Sequence, residues 1–207
     1  NGKFIPECVI NLCSPGTINV HPSELPEYRG ASPSESVIIH GDEKTGVSLM
    51  KLVAAMDAGP VYVQETVALN GDENRPSLYT QLAHVGSRLL INNLQKIIDN
   101  ELPPIPQDES EATYTQLLKK EDGIMSPSVK TAIQLEREVR AYQRYPQSRY
   151  TIYNEECIVL SSRVAKDKDD GQLIIACKDN TWLELLSLTG PSGRAMSGAD
   201  FIRGYKK

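Results

Sequence analysis

Apolar and polar positions alternate in short runs toward both ends of the chain and recur at threes and fours in its middle. The first run, Thr17-Ile18-Asn19-Val20-His21, predicts a strand, and Pro22 stops it because proline cannot donate to a ladder. A loop with Pro22, Pro26, Gly30 and Pro33 follows, and residues 34–40 then predict a short helix closed by Gly41-Asp42. Residues 46–52 and 61–67 predict two further strands, the second with period-two alternation. Pro76-Ser77 suits a helical first turn, and Leu78, Leu82, Val85, Leu89, Leu94 and Ile97 predict one apolar helix face up to about Asn100. That face is expected to pack on the sheet, and His84 within the helix reads as a structural or surface residue.

Residues 102–122 turn to Pro, Ser, Glu and Thr, with Pro103, Pro104 and Pro106 setting extended geometry, and predict an interdomain linker. Residues 129–142 predict a helix. Runs at 150–153, 157–164, 173–177 and 181–188 predict short strands near ten-residue spacing, the pattern of a small sandwich or barrel. The chain of 207 residues is long enough for one large domain or two modest ones.

Composition narrows the class. Apolar residues at 40% and charged residues at 24% are those of a globular chain. No run approaches the roughly 18 apolar residues of a membrane span, and the first residues lack a signal-peptide core, so a cytoplasmic setting is expected. The four cysteines, Cys8, Cys13, Cys157 and Cys177, show neither a disulfide framework nor zinc spacing and read as reduced, mostly buried thiols. Net charge is −5, yet residues 1–118 hold 7 basic against 15 acidic side chains and residues 119–207 hold 15 against 12. The acidic total excludes a wholly basic nucleic-acid binder, while the split suggests that the C-terminal half meets a polyanion.

Candidate chemistry lies in two places. In a strand, residues two apart share a face, so Asn19 and His21 project together at the strand's end, where ligands of open α/β sheets bind. An amide donor beside an imidazole can serve a carbonyl oxygen that gains charge under attack. Alone, the Asn-x-His pair is a weak signal, more often structural than catalytic. Asp57, in Met56-Asp57-Ala58-Gly59-Pro60 between the second and third strands, is open to two readings. It either bonds its own turn or orients His21.

Asn19-x-His21-Pro22-Ser23-x-Leu25-Pro26-x-Tyr28-Arg29-Gly30, then Thr45-Gly46-Val47, then Asp57-x-Gly59-Pro60, resembles the folate-dependent formyltransferases. Gln107-Asp108-Glu109-Ser110-Glu111-Ala112-Thr113-Tyr114 and the ending 196–204 resemble the branch of that family that acts on methionyl-tRNA. The resemblance implies an α/β formyltransferase domain with a parallel-rich sheet, then a small OB-like β-barrel. It implies a division into residues 1–101 (the C-terminal part of the catalytic domain), a linker at 102–122, and a tRNA-binding domain at 123–207. Asn1 is not Met, and the resemblance starts in the middle of the family's domain, so the opening strands and helices are expected to be missing.

The implied reaction moves a formyl group from 10-formyltetrahydrofolate to the α-amine of methionyl-initiator tRNA, in a monomer of bacterial cytoplasmic type and without a metal. The family's catalytic residues fall on Asn19, His21 and Asp57, with Asn19 and protonated His21 stabilising the oxyanion and Asp57 holding His21 charged. The stretch lining the folate cleft falls on Ser23, Glu24, Leu25 and Pro26. Glu24 stands where the family usually has leucine, and His40 where it usually has asparagine. Arg137, Arg140, Arg144 and Arg149 lie close together, the first three on one predicted helix, and are expected to contact tRNA phosphates. The competing readings are an amino-sugar nucleotide formyltransferase of the same family and a non-catalytic RNA-binding fragment.

Overall fold

A computed structural model describes residues 6–10, 12 and 16–206. The chain divides into two compact units, Asn1–Val37 with Gly41–Leu117, and Ile38–His40 with Leu118–Lys207.

The first unit begins with a single-turn helix α1 (Glu7–Ile10), then strand β1 (Ile18–His21), the two-residue β2 (Arg29–Gly30) and helix α2 (Pro33–His40). Strands β3 (Lys44–Lys51) and β4 (Val61–Ala68) follow, then the long helix α3 (Arg75–Ile98) and the short β5 (Tyr114–Thr115). The sheet order is β1-β3-β4. β3 is its centre and is buried from Thr45 to Met50, the pattern of a strand covered on both faces. Both pairings are antiparallel, with Asn19 opposite Met50 and His21 opposite Ser48. The parallel-rich sheet implied by the resemblance is therefore corrected for the described strands. The chain turns back after β1 and again at residues 52–60, so each strand runs against the one before.

Helix α3 starts where its sequence signals say, one residue early. Asn74 caps it by accepting from Ser77 N–H at 3.1 Å, and Ser77 Oγ accepts from Asn74 N–H at 3.0 Å. Such a cap stabilises by about 1 kcal/mol. Leu78, Leu82, Val85, Leu89 and Ile97 are buried as predicted, but Leu94 is 40% exposed. Five residues beyond Leu89, at 3.6 residues per turn, is the wrong side of the helix. His84 is exposed.

The segment expected to be a linker is bound to this unit along its first part. Ile105 and Val61 form an antiparallel bridge, and β5 pairs in parallel with β2, Arg29 beside Tyr114 and Gly30 beside Thr115. Gly30 has φ +110, and a Cβ there would sit 2.7 Å from the Thr115 carbonyl oxygen, so only glycine lets the strap lie this close.

The second unit packs helix α4 (Ala132–Ala141) on an antiparallel sheet of β6 (Ser148–Ile152), β7 (Glu155–Ala165), β8 (Ile174–Cys177), β9 (Thr181–Thr189) and β10 (Ala195–Ser197), and ends in helix α5 (Gly198–Tyr205). The strand order is β10-β9-β7-β6, with β8 also on β9. No pairing among the described residues joins the ends of this path, so no closed barrel is formed. Helix α4 begins three residues later than predicted, because Thr131 N–H donates to Gln134 Oε1 at 2.9 Å and caps it there. It ends at Ala141, and Pro146 beyond cannot continue it. Leu135, Val139, Cys157, Leu183, Leu185, Leu188 and Phe201 fill the core. Cys157 is buried, Cys177 half-buried and Cys8 exposed, all three free thiols, while Cys13 lies outside the described residues.

Phe201, fully buried, stacks on Tyr205 at 4.6 Å and faces Tyr153 at 6.4 Å. Phe201→Ala is expected to lower stability by about 3–5 kcal/mol, the usual cost of emptying an aromatic core site. Urea unfolding of the chain checks this, with a lowered midpoint and unchanged slope.

Candidate active site

The site grows from the end of β1. Alternation puts Asn19 and His21 on one face of the strand, and Pro22 turns the chain into a loop that folds back over them. Ser48 on β3 braces that loop: its hydroxyl donates to the Ser23 carbonyl at 2.6 Å and accepts from Leu25 N–H at 3.1 Å. Gln64 Nε2 donates to the Leu25 carbonyl at 2.6 Å, and Ser23 Oγ donates to the Glu27 carbonyl at 2.6 Å. The braced loop delivers the Tyr28 carbonyl to His21 Nε2 at 3.0 Å. A carbonyl only accepts, so Nε2 carries the hydrogen and Nδ1 is the open nitrogen of the neutral ring.

Asp57 enters from the turn between β3 and β4. Its Oδ2 lies 3.7 Å from His21 Nδ1 and accepts from Gly30 N–H at 2.8 Å. Asp57 itself is in the left-handed region, φ 48, where aspartate is among the better-tolerated residues. Gly59 presses on β3 so closely that a Cβ would lie 1.7 Å from the Lys51 carbonyl oxygen, which pins the turn against the sheet. Gln107 donates to the carbonyls of Asp57 and Gly59 at 2.8 and 2.7 Å. The structure thus brings His21 and Asp57 together. Asn19 is half-buried on the same strand face, and its carboxamide has no hydrogen-bond partner among the described residues.

His21 is 3% exposed. Burial pushes its imidazole below the ordinary 6.5, and the Asp57 carboxylate and the Tyr28 carbonyl only partly offset this. At neutral pH the ring is therefore uncharged. Its open nitrogen faces a carboxylate. A proton taken up at Nδ1 would be met by Asp57.

The residues carried over as folate contacts are placed differently from one another. Ser23 and Leu25 are buried and spent on holding the loop, while Pro26 is half-buried, its carbonyl accepting from Thr113 N–H at 3.3 Å. Glu24 turns toward the sheet edge, where its carboxylate accepts from Thr66 Oγ1 at 2.8 Å and lies 3.7 Å from Lys44 Nζ. The predicted arginine cluster is not one free face. Arg140 is paired with Glu136 through contacts of 2.7 and 3.0 Å. Arg149 donates to the Lys120 carbonyl. Arg137 is half-buried on α4 and donates from Nη1 to the His40 carbonyl at 2.8 Å, and Arg144 is exposed beyond the helix end at φ 74, not on the helix as predicted.

Residue-by-residue reading of candidate chemistry missed Arg29, Gln107 and Glu109. Arg29 has no exposed surface, and its guanidinium bonds to Gln107, Glu109 and Tyr114. All four residues stand in motifs already singled out. The signal that marks them is an arginine between short β residues, facing a Gln-x-Glu pair far along the chain.

Comparison with known proteins follows the same divisions. The formyl transferase family matches residues 1–94, and the formyl transferase C-terminal domain matches residues 117–206. The methionyl-tRNA formyltransferase of Sulfurihydrogenibium sp. is 34% identical over 99% of this chain and 69% of its own length. That of Dictyoglomus turgidum is 36% identical with the same coverage. The fold is similar to that of an N-formyltransferase from Helicobacter canadensis solved with folinic acid and dTDP-3-aminofucose. The TM-score is 0.64 at 22% identity, over 80% of this chain and 64% of that one.

Two consequences of the burial of His21 beside Asp57 can be measured. By NMR, the His21 ring should titrate below 6.5, and Asp57→Asn should lower it further by removing the charge that pulls it up. In addition, the native state refuses a proton that the unfolded chain accepts below 6.5, so His21 makes stability fall as pH drops through that value. His21→Gln should flatten this part of the stability–pH curve, read by urea unfolding.

Proposed function

The chain belongs to the formyl transferase family, in its methionyl-tRNA branch, and from that membership we propose that it transfers a formyl group from 10-formyltetrahydrofolate to the α-amine of methionyl-initiator tRNA. The observation that carries the reading is the buried His21 imidazole, 3.7 Å from Asp57, on the strand that also presents Asn19, whose amide has no hydrogen-bond partner among the described residues. An amide with an unused donor beside a neutral base suits a formyl carbonyl under attack by an amine.

In this reading His21 Nδ1 accepts the proton that the attacking amine loses as the new C–N bond forms. Asn19 donates to the formyl oxygen as it gains charge. Asp57 and the Tyr28 carbonyl stabilise the imidazolium so formed, and His21 then returns the proton to the departing folate nitrogen as the old C–N bond breaks. Ser23, Glu24, Leu25 and Pro26 shape the folate side of the cleft by fixing the loop. Ser23 and Leu25 are too buried, and Glu24 too occupied at the sheet edge, for side-chain contact to be their main contribution.

Residues 1–101 supply the C-terminal part of the catalytic domain and residues 123–207 an OB-like tRNA-binding domain, of which the open five-stranded sheet is the core. The protein acts as a monomer in a bacterial-type cytoplasm. Arg144 carries the phosphate contact; Arg137, Arg140 and Arg149, already engaged with the His40 carbonyl, Glu136 and the Lys120 carbonyl, contribute less.

Formylation of charged initiator tRNA by the full chain tests the assignment. His21→Ala should lower turnover about 10²–10⁴-fold, the usual worth of a positioned acid–base group. Asn19→Ala should lower it about 10²–10³-fold, as for loss of one oxyanion donor. Near-normal rates in either variant contradict the roles given. Arg144→Ala should weaken tRNA binding and reduce its salt slope by about 1, with a smaller change for Arg140→Ala.

A further inference from the structure

Gln107 stands between the turn that carries Asp57 and a buried cation. Its Oε1 accepts from Arg29 Nε at 3.0 Å and Nη2 at 2.8 Å, while its Nε2 donates to the Asp57 carbonyl at 2.8 Å and the Gly59 carbonyl at 2.7 Å. Arg29 has only donors to offer. The amide oxygen of Gln107 must therefore face the guanidinium and its NH2 must face the two carbonyls, so the amide has one orientation. Both donors and both acceptor positions of Gln107 are used.

Glu109 fixes Arg29 through two parallel bonds, Nη1 to Oε2 at 2.9 Å and Nη2 to Oε1 at 2.8 Å, and Tyr114 OH accepts from Nη1 at 3.1 Å. The residue after Arg29 donates its backbone N–H to Asp57 Oδ2 at 2.8 Å. Asp57 is therefore gripped twice, at its backbone by Gln107 and at its carboxylate by Gly30, and both grips lead to Arg29. Among the described residues, Asp57 is the charged group set against His21, with the Tyr28 carbonyl on the other ring nitrogen.

We infer that the Arg29–Gln107–Glu109 relay is a positioning device for formyl transfer, which sets the distance of the Asp57 carboxylate from His21 Nδ1 and makes residues 107–114 a working part of the active site. The inference rests on the assignment of His21 and Asp57 to the reaction. Its physical basis is that a reacting constellation must be held to a fraction of an ångström by the groups behind it, and that a misplacement of about 1 Å costs about 10²-fold in rate. The three residues touch no reacting atom in this account and act only through Asp57.

The test is Gln107→Met in the full chain, which keeps the length of the side chain and removes all four hydrogen bonds. Two quantities are read: the NMR titration of the His21 ring, which needs no substrate, and kcat and KM for formylation. The relay predicts that His21 titrates lower, toward the Asp57→Asn value, and that Gln107→Met adds no further shift in an Asp57→Asn background. It also predicts a kcat reduced about 10- to 100-fold with KM for tRNA little changed. A His21 titration identical to that of the original protein overturns the inference, even if the melting temperature falls, because the relay then only holds the fold. A chain that shows the titration shifts but never formylates leaves the relay standing and removes the transferase reading instead. Should Gln107→Met not fold, Glu109→Gln, at a largely exposed position, is read in the same way. It weakens the hold on Arg29 and should shift His21 in the same direction; no shift again overturns the inference.

Discussion

A guanidinium with no exposed surface must find acceptors for its donors inside the protein, and Arg29 finds them 78 to 85 residues further along the chain, in Gln107, Glu109 and Tyr114. An unpaired buried charge costs several kcal/mol, so Arg29 stays buried only with this segment laid along the first unit. Once residues 105–115 are in place, the Asp57 turn acquires donors for its carbonyls. Gly30 holds the Asp57 carboxylate, and His21 gains its charged neighbour. A structural requirement of one arginine thus propagates into the geometry of the candidate site.

The electrostatics of the pair follow from a competition. Removing an imidazole from water favours its neutral form, and a carboxylate 3.7 Å away is too far to reverse that preference, being beyond direct hydrogen-bond reach. The result is an uncharged base beside a group that stabilises its conjugate acid. Such an arrangement suits a reaction in which an amine sheds a proton as it attacks. It suits a preformed cation less well, which is why proton acceptance is the role proposed for His21.

Much of this was legible in the amino-acid sequence. Period-two alternation located β4, short apolar-rich runs located β1 and β3, and the three-and-four repeat located α3, whose one buried face imposes that period. Asn19 and His21 were visible as a pair through the same alternation. The direction of the sheet was not, since nothing local to a strand states which way its neighbour runs. The attachment of residues 105–115 to the first unit was not legible for a related reason: the composition of the segment signals extension, and the partner that binds Gln107 and Tyr114, Arg29, lies far away in sequence. Glu24 looked like a residue beside the cleft, whereas Thr66 and Lys44 across the sheet turn it aside. Helix α4 starts late, at the Thr131 cap, and ends at Ala141, so Arg144 lies beyond it.

The central claim is that His21 works as a neutral base tuned by Asp57. The pH dependence of kcat/KM for formylation tests it most directly, in the original chain and in Asp57→Asn. The account predicts an acid limb below pH 6.5 that moves to lower pH when the Asp57 charge is removed, alongside the fall in rate. An acid limb that stays at the same pH in both proteins would contradict it, because the titrating group would then not be the imidazole that faces this carboxylate.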